Sequence, residues 1–246
     1  MSTAPQQFAD AIEAALRPLA NPEQAAKMER YMLNRYVFLG LPAPVRRAAV
    51  KALIAQQWQS SHALLDAARL LWHKAEREYC YTAIDLLMRH HRLLSTDDIS
   101  TLRELLEQES WWETVDGLTS VIGAVLLASD RGSGKGHASM DEWVQDANFW
   151  VRRAAMLHQR GWRLNTDSQR LFCYAKQLAG EKEFFIRKAI GWALRDYARW
   201  DDTSVREFVR INMRTLSPLT VREALKRIDT GWMKPLKRKD AAPGKP

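Results

Sequence analysis

One spacing constrains this chain more than any other feature of it. Six short segments can be laid on one another: Val45-Arg46-Arg47-Ala48, Tyr81-Thr82-Ala83-Ile84, Val115-Asp116-Gly117, Val151-Arg152-Arg153-Ala154, Ile186-Arg187-Lys188-Ala189 and Val221-Arg222-Glu223-Ala224. Their first residues are 36, 34, 36, 35 and 35 apart. A period of about 35 residues kept over six copies marks a stack of small units, each unable to bury its apolar face alone. In four copies the second position is Arg, and in the central copy it is Asp116. The register therefore sets one carboxylate in a track of cations.

Between the copies, apolar residues recur at helical spacing. Phe8, Ile12, Ala15, Leu16 and Leu19 predict an amphipathic helix over 8–20. Asn21-Pro22-Glu23 reads as a cap and a proline in the first turn, opening a helix that runs toward Phe38. Gly40 to Pro44 breaks it, and a helix over 45–57 follows. Helix pairs are then expected over 61–72 and 77–90, 96–108 and 112–129, 140–146 and 149–161, 166–178 and 183–199, and 203–213 and 218–228. Each pair has an outer helix and an inner one that carries the repeated segment. The fold class is all-α: a solenoid of about six helical pairs with a concave basic face. The glycine-rich segment 130–137 lacks the spacing of a phosphate loop and follows no strand, so it reads as a connection.

The net charge of +8 suits a polyanionic partner. The last fourteen residues hold five Lys or Arg and one Asp, half of that excess, and read as a disordered basic tail over 233–246 behind a single repeat domain over 1–232. Cys80 and Cys173 have no metal-type neighbours and read as reduced core residues. The longest apolar run, 121–128, is far short of the ~20 residues that span a bilayer. A cytoplasmic monomer is expected, with no membrane segment, no metal and no cofactor.

Trp112 and Asp116 are four residues apart and share one helical face. Inner helices stacked side by side would align Asp116 with Arg152 or Arg153 and with Arg187 or Lys188. Spacing alone does not say which cation of each pair points inward. Tyr31 falls one repeat earlier in the N-terminal pair. Glu113 competes as the important carboxylate and ranks second. Each residue also has a plain reading: core tryptophans, a solvated or Arg-paired Asp116, and salt-bridge ladders between repeats.

At these residues the sequence resembles the AlkD-like DNA alkylation repair glycosylases, built of HEAT-like repeats. The likeness covers the chain to about residue 230. It rests on Arg30-Tyr31-Met32, Ser110-Trp111-Trp112, Val115-Asp116, Trp150 with Arg153-Ala154-Ala155, Phe184-Phe185-Ile186, Lys188-Ala189-Ile190-Gly191-Trp192 and Arg222-Glu223-Ala224. It implies a right-handed solenoid of HEAT-like pairs, Asp116 as the catalytic carboxylate, and Trp112 and Trp192 as aromatic walls. It implies DNA contact near the lesion by Tyr31 and Arg153. Arg46, Arg47, Arg152, Arg187 and Lys188 would grip phosphates. The partner would be nucleoid DNA, double-stranded and carrying alkylated bases. The implied reaction hydrolyses the N-glycosidic bond of N3- or N7-alkylpurines without flipping the base into a pocket. A non-catalytic DNA-binding repeat scaffold is the alternative, and a protein–protein adaptor stands behind it.

Overall fold

The computed structural model describes residues 3–129, 135–226 and 228. The expected tail and most of the glycine-rich connection lie outside them. In chain order the helices are α1 (Ala4–Leu16), α2 (Pro22–Tyr31), α3 (Ala43–Ile54), α4 (Ser61–Trp72), α5 (Arg77–Arg89), α6 (Ile99–Glu107), α7 (Trp112–Ser129), α8 (Lys135–Trp143), α9 (Phe149–Leu157), α10 (Ser168–Gln177), α11 (Phe184–Tyr197), α12 (Asp202–Asn212) and α13 (Pro218–Ala224). Among the described residues the only extended pairing is one isolated bridge, Val37 with Glu76. The chain is all-α, as its period predicts.

The helices form two rows. α3, α5, α7, α9, α11 and α13 pack each on the next, and α1, α4, α6, α8, α10 and α12 lie against them. One apolar core runs between the rows from Phe8 to Leu225. Leu64, Leu71, Leu86, Leu102 and Leu105 are wholly buried in it. Burial of each such side chain stabilises the fold by about 1.5–3 kcal/mol. Short polar side chains close many helix starts: Asn21 accepts from Gln24 N, Ser60 from Ala63 N, Asp167 from Arg170 N and Ser217 from Thr220 N. Each such cap contributes about 1 kcal/mol.

α2 ends at Tyr31, well before Phe38. Leu33 and Asn34 take left-handed conformations at φ 58° and 54°, which no α-helix accommodates. The chain then runs extended, and a buried carboxylate holds it there. Glu78 accepts hydrogen bonds from the backbone N–H of Leu39 (2.9 Å), Gly40 (2.9 Å) and Leu41 (3.0 Å). The Tyr36 hydroxyl donates to the Glu109 carbonyl, and the Arg77 guanidinium sits 3.8 Å from the Tyr36 ring. These contacts tie the end of α2 to the start of α7. Cys173 also departs from expectation: it is exposed on α10, whereas Cys80 is buried and its thiol is pushed up to about 12 by burial.

Candidate active site

Trp112 opens α7, and Asp116 follows one turn later. Where α7 crosses α9 the two helices nearly touch. A Cβ on Gly123 would lie 2.1 Å from the His158 carbonyl oxygen, so no larger residue fits there. Below the crossing, Trp111, Trp150 and Phe185 form an aromatic floor, with Trp111 to Phe185 at 5.3 Å and Trp150 to Phe185 at 4.8 Å. Arg35 stacks on Trp111 at 4.3 Å. This floor fixes the relative heights of α7, α9 and α11.

On it opens a cleft of ≈ 230 Å³ lined by Tyr31, Trp112, Arg153, Phe184, Phe185, Lys188 and Trp192. Tyr31 meets Trp112 edge-on, 6.4 Å between ring centres. Tyr31 is 71% exposed, so that one lip of the cleft reaches into solvent. Phe184 forms an exposed second lip from the start of α11.

Asp116 does not stand alone. Arg153 Nε donates to its Oδ1 and Arg153 Nη2 to its Oδ2, both at 2.8 Å. The remaining Arg153 nitrogen donates to the Phe185 carbonyl. The arginine side chain is 1% exposed and the aspartate side chain 16%. A carboxylate offers about four lone-pair directions, and this fork uses two. The other two are free for a water or a sugar.

The remaining residues singled out from the sequence divide into two groups. Lys188 and Trp192 line the cleft with Tyr31, Trp112 and Arg153. Arg46 does not reach the surface: it is buried, donating to Thr82 and Asp85, so the expected phosphate contact is corrected to a bond between helices. Arg47 shares the same Asp85, yet its side chain is 63% exposed. Arg152 donates to the Asp146 and Ala147 carbonyls and pairs with Glu181, and Arg187 donates to the Glu181 carbonyl. Both are occupied in tying α9 and α11 to their preceding turns. Glu113 is held by Arg77 at 2.8 Å and is nearly buried, which makes it part of the frame.

Sequence reasoning passed over two groups. One is Arg160, exposed, with its guanidinium 5.6 Å from the Trp192 ring. The other is Glu223, whose carboxylate accepts from Lys188, Trp192 and Arg195. The hydrogen bond from Lys188 outweighs its burial and, with Arg195, holds its carboxyl down at about 2. Its signal was available: it is the one acidic residue at the third position of the repeated segment. Among the described residues, no three His, Cys, Asp or Glu side chains are grouped to hold a metal ion, and no helix is long and apolar enough to cross a membrane.

A family model described as DNA alkylation repair enzyme matches residues 12–228. A solved structure described as a predicted DNA alkylation repair enzyme from Enterococcus faecalis is 31% identical, with a TM-score of 0.76. It covers 86% of this chain and 97% of its own. AlkD2 from Streptococcus mutans is 16% identical, with a TM-score of 0.59 over 92% of this chain and 100% of its own. The alkylpurine DNA glycosylase AlkC from Pseudomonas fluorescens, bound to DNA containing an abasic site analogue, is 18% identical. Its TM-score is 0.51 over 90% of this chain and 61% of its own. The last two likenesses concern the fold alone. A comparison with curated proteins finds no match.

Proposed function

The chain belongs to the DNA alkylation repair enzyme family, and on that premise we propose that it is an alkylpurine DNA glycosylase whose cleft acts on deoxyribose through Asp116. The substrates are cationic N3- and N7-alkylpurines in duplex DNA, such as 3-methyladenine and 7-methylguanine. The observation that carries this reading is a carboxylate clamped at both oxygens by Arg153, beside a cleft walled by two indoles and a tyrosine.

Glycoside hydrolysis ordinarily needs one carboxyl group as an acid to protonate the leaving group. A purine alkylated at N3 or N7 is already positively charged. When its bond to C1′ breaks, the electron pair goes to the purine and cancels that charge, so no acid is required. Positive charge then develops on the sugar. Asp116 faces that charge with its unused lone pairs, or orients the water that adds to C1′ and gives up a proton. Trp112 and Trp192 stabilise the same charge through their ring faces, about 0.5–2 kcal/mol each. Arg153 serves as the positioner of Asp116, its donors being engaged there and at Phe185. Tyr31 and Lys188 contact the DNA at the rim, and Arg47 grips a phosphate further along the inner row. The enzyme works as a monomer, and the cleft reads the sugar rather than taking in a flipped base.

The family match over residues 12–228 supports the reading, and AlkC, described as an alkylpurine DNA glycosylase bound to DNA, shares the fold. One observation favours a non-catalytic scaffold instead: Arg153–Asp116 is the same kind of ion pair between helices as Arg46–Asp85. Release of 7-methylguanine from methylated duplex DNA decides between them. The wild-type protein should release the base, and Asp116→Asn should not, while both bind duplex. Release by the variant at the wild-type rate rules out the proposed role.

A further inference from the structure

Glu223 lies on α13, the last helix of the inner row, and is 6% exposed. Its Oε1 accepts from Lys188 Nζ at 2.9 Å. Its Oε2 accepts from Trp192 Nε1 at 3.2 Å and from Arg195 Nη1 at 2.7 Å. Two of these three donors, Lys188 and Trp192, line the cleft. The backbone enforces the approach. A Cβ on Gly191 would stand 2.5 Å from the Glu223 Cβ and 3.0 Å from the Thr220 carbonyl oxygen. Thr220 Oγ1 donates to the Arg187 carbonyl at 3.1 Å, which pins the first turn of α13 onto α11.

Charge around the Trp192 ring gives this contact its purpose. Arg153, Arg160 and Lys188 stand 5.3, 5.6 and 5.7 Å from the ring centre. Asp116 compensates Arg153 and Glu223 compensates Lys188, whereas Arg160 has no ion pair among the described residues. Without Glu223, Lys188 and Arg195 lose their counterion with the unpaired Arg160 on the same ring, and the indole N–H loses its acceptor. Like charges would then spread, and the ring would lose the bond that sets its angle.

We propose that Glu223 is a positioning residue of the cleft, holding the Lys188 ammonium and the Trp192 indole in one arrangement beside the Asp116–Arg153 pair. The last repeat is thereby part of the working site and not only its cap. This rests on the glycosylase reading for its consequence in catalysis, and on geometry alone for the anchoring itself. Misplacing a reacting group by about 1 Å costs on the order of 100-fold in rate.

Three measurements on wild type, Glu223→Gln and Glu223→Asp test it. They are single-turnover release of 7-methylguanine, affinity for undamaged duplex, and the indole N–H resonance of Trp192, assigned with Trp192→Phe. Glu223→Gln should slow release at least ~10-fold, leave duplex affinity no weaker than wild type because it frees Lys188 and Arg195, and move the resonance from its wild-type position. Glu223→Asp, with the charge on a shorter arm, should recover part of both. An unmoved resonance, wild-type release, or release and affinity falling in parallel would overturn the proposal. Should the glutamine variant not fold, the aspartate variant carries the test, and wild-type release with a wild-type resonance in it would be the overturning result. If the wild-type protein releases no base, the glycosylase reading falls, and the resonance alone still decides whether Glu223 anchors the indole.

Discussion

Asp85 and Asp116 are both carboxylates of the inner row that hold an arginine of a neighbouring helix, and their surroundings differ. Asp85 accepts three N–H groups from two arginines of α3: Arg46 Nη2 at 2.7 Å, and Arg47 Nε and Nη2 at 3.0 and 3.2 Å. Asp116 accepts two, both from Arg153. Asp85 borders an open groove of ≈ 440 Å³ with Lys51, Arg89, Ile54 and Met88 around it. Arg153, the partner of Asp116, lines the cleft with Trp112, Trp192 and Tyr31. One centre carries surplus positive charge with a single ring, Tyr81, 5.8 Å from the Arg46 guanidinium; the other is a neutral pair beside a cleft lined by five aromatic rings. An ion pair between repeats is therefore common frame. Spare lone pairs and aromatic walls are what set one such pair apart.

The sharpest way to break this contrast is to neutralise each carboxylate in turn. Asp116→Asn should lower single-turnover base release by about 100-fold or more, the scale of losing one aimed electrostatic group. Asp85→Asn should leave release within a few-fold and tighten duplex binding, because it frees the exposed Arg47. Equal rates for the two variants would erase the distinction.

Next in size is the loss of each buried arginine. Arg153→Met leaves Asp116 without its ion pair and should cost about 3–5 kcal/mol of stability in urea denaturation. Arg46→Met leaves Asp85 with Arg47 and should cost clearly less. A larger loss for Arg46→Met would show that the two pairs contribute in the reverse order.

Acid sharpens the comparison with the third such centre. The folded value of Glu223 is about 2, against about 4.5 unperturbed. Its stabilising contribution is full above pH 4.5 and is lost as the pH falls through about 2. Wild type should lose stability over that window more steeply than Glu223→Gln, and parallel curves would mean that the α11–α13 contact is not ionic.

The smallest effect concerns free cations. Arg160→Met should weaken duplex binding and reduce the slope of log affinity against log salt by about 0.9, the value for one phosphate contact. An unchanged slope would take Arg160 off the DNA.

The helical period made the inner row readable, and the four-residue step put Trp112 and Asp116 on one turn. The partner of Asp116 was not readable. Asp116 occupies the second position of its segment and Arg153 the third, 37 residues on, and one residue of helix sliding decides such a match. The same sliding puts Arg46 inside and Arg47 outside at α3, yet at α9 it is the second of the pair, Arg153, that reaches Asp116. The end of α2 was missed because apolar spacing continues past it, while Leu33 and Asn34 reverse their backbone. Cys173 looked like core by residue type, and its exposed place on α10 depends on which face of that helix meets α9 and α11. Glu223 is marked in the register as its one acidic third position, but its partners, 28 to 35 residues back, are not fixed by that register.

The residues that enclose the cleft run from Tyr31 to Trp192, and their brace sits at Glu223. Because a ribosome delivers this chain from its N-terminus, Asp116 and Arg153 can meet while the far wall is still unmade. A nascent polypeptide ending after α9 would offer phosphates a cationic surface yet have nowhere to seat a sugar. On the proposed reading, competence thus arrives with α13, the last of the described helices.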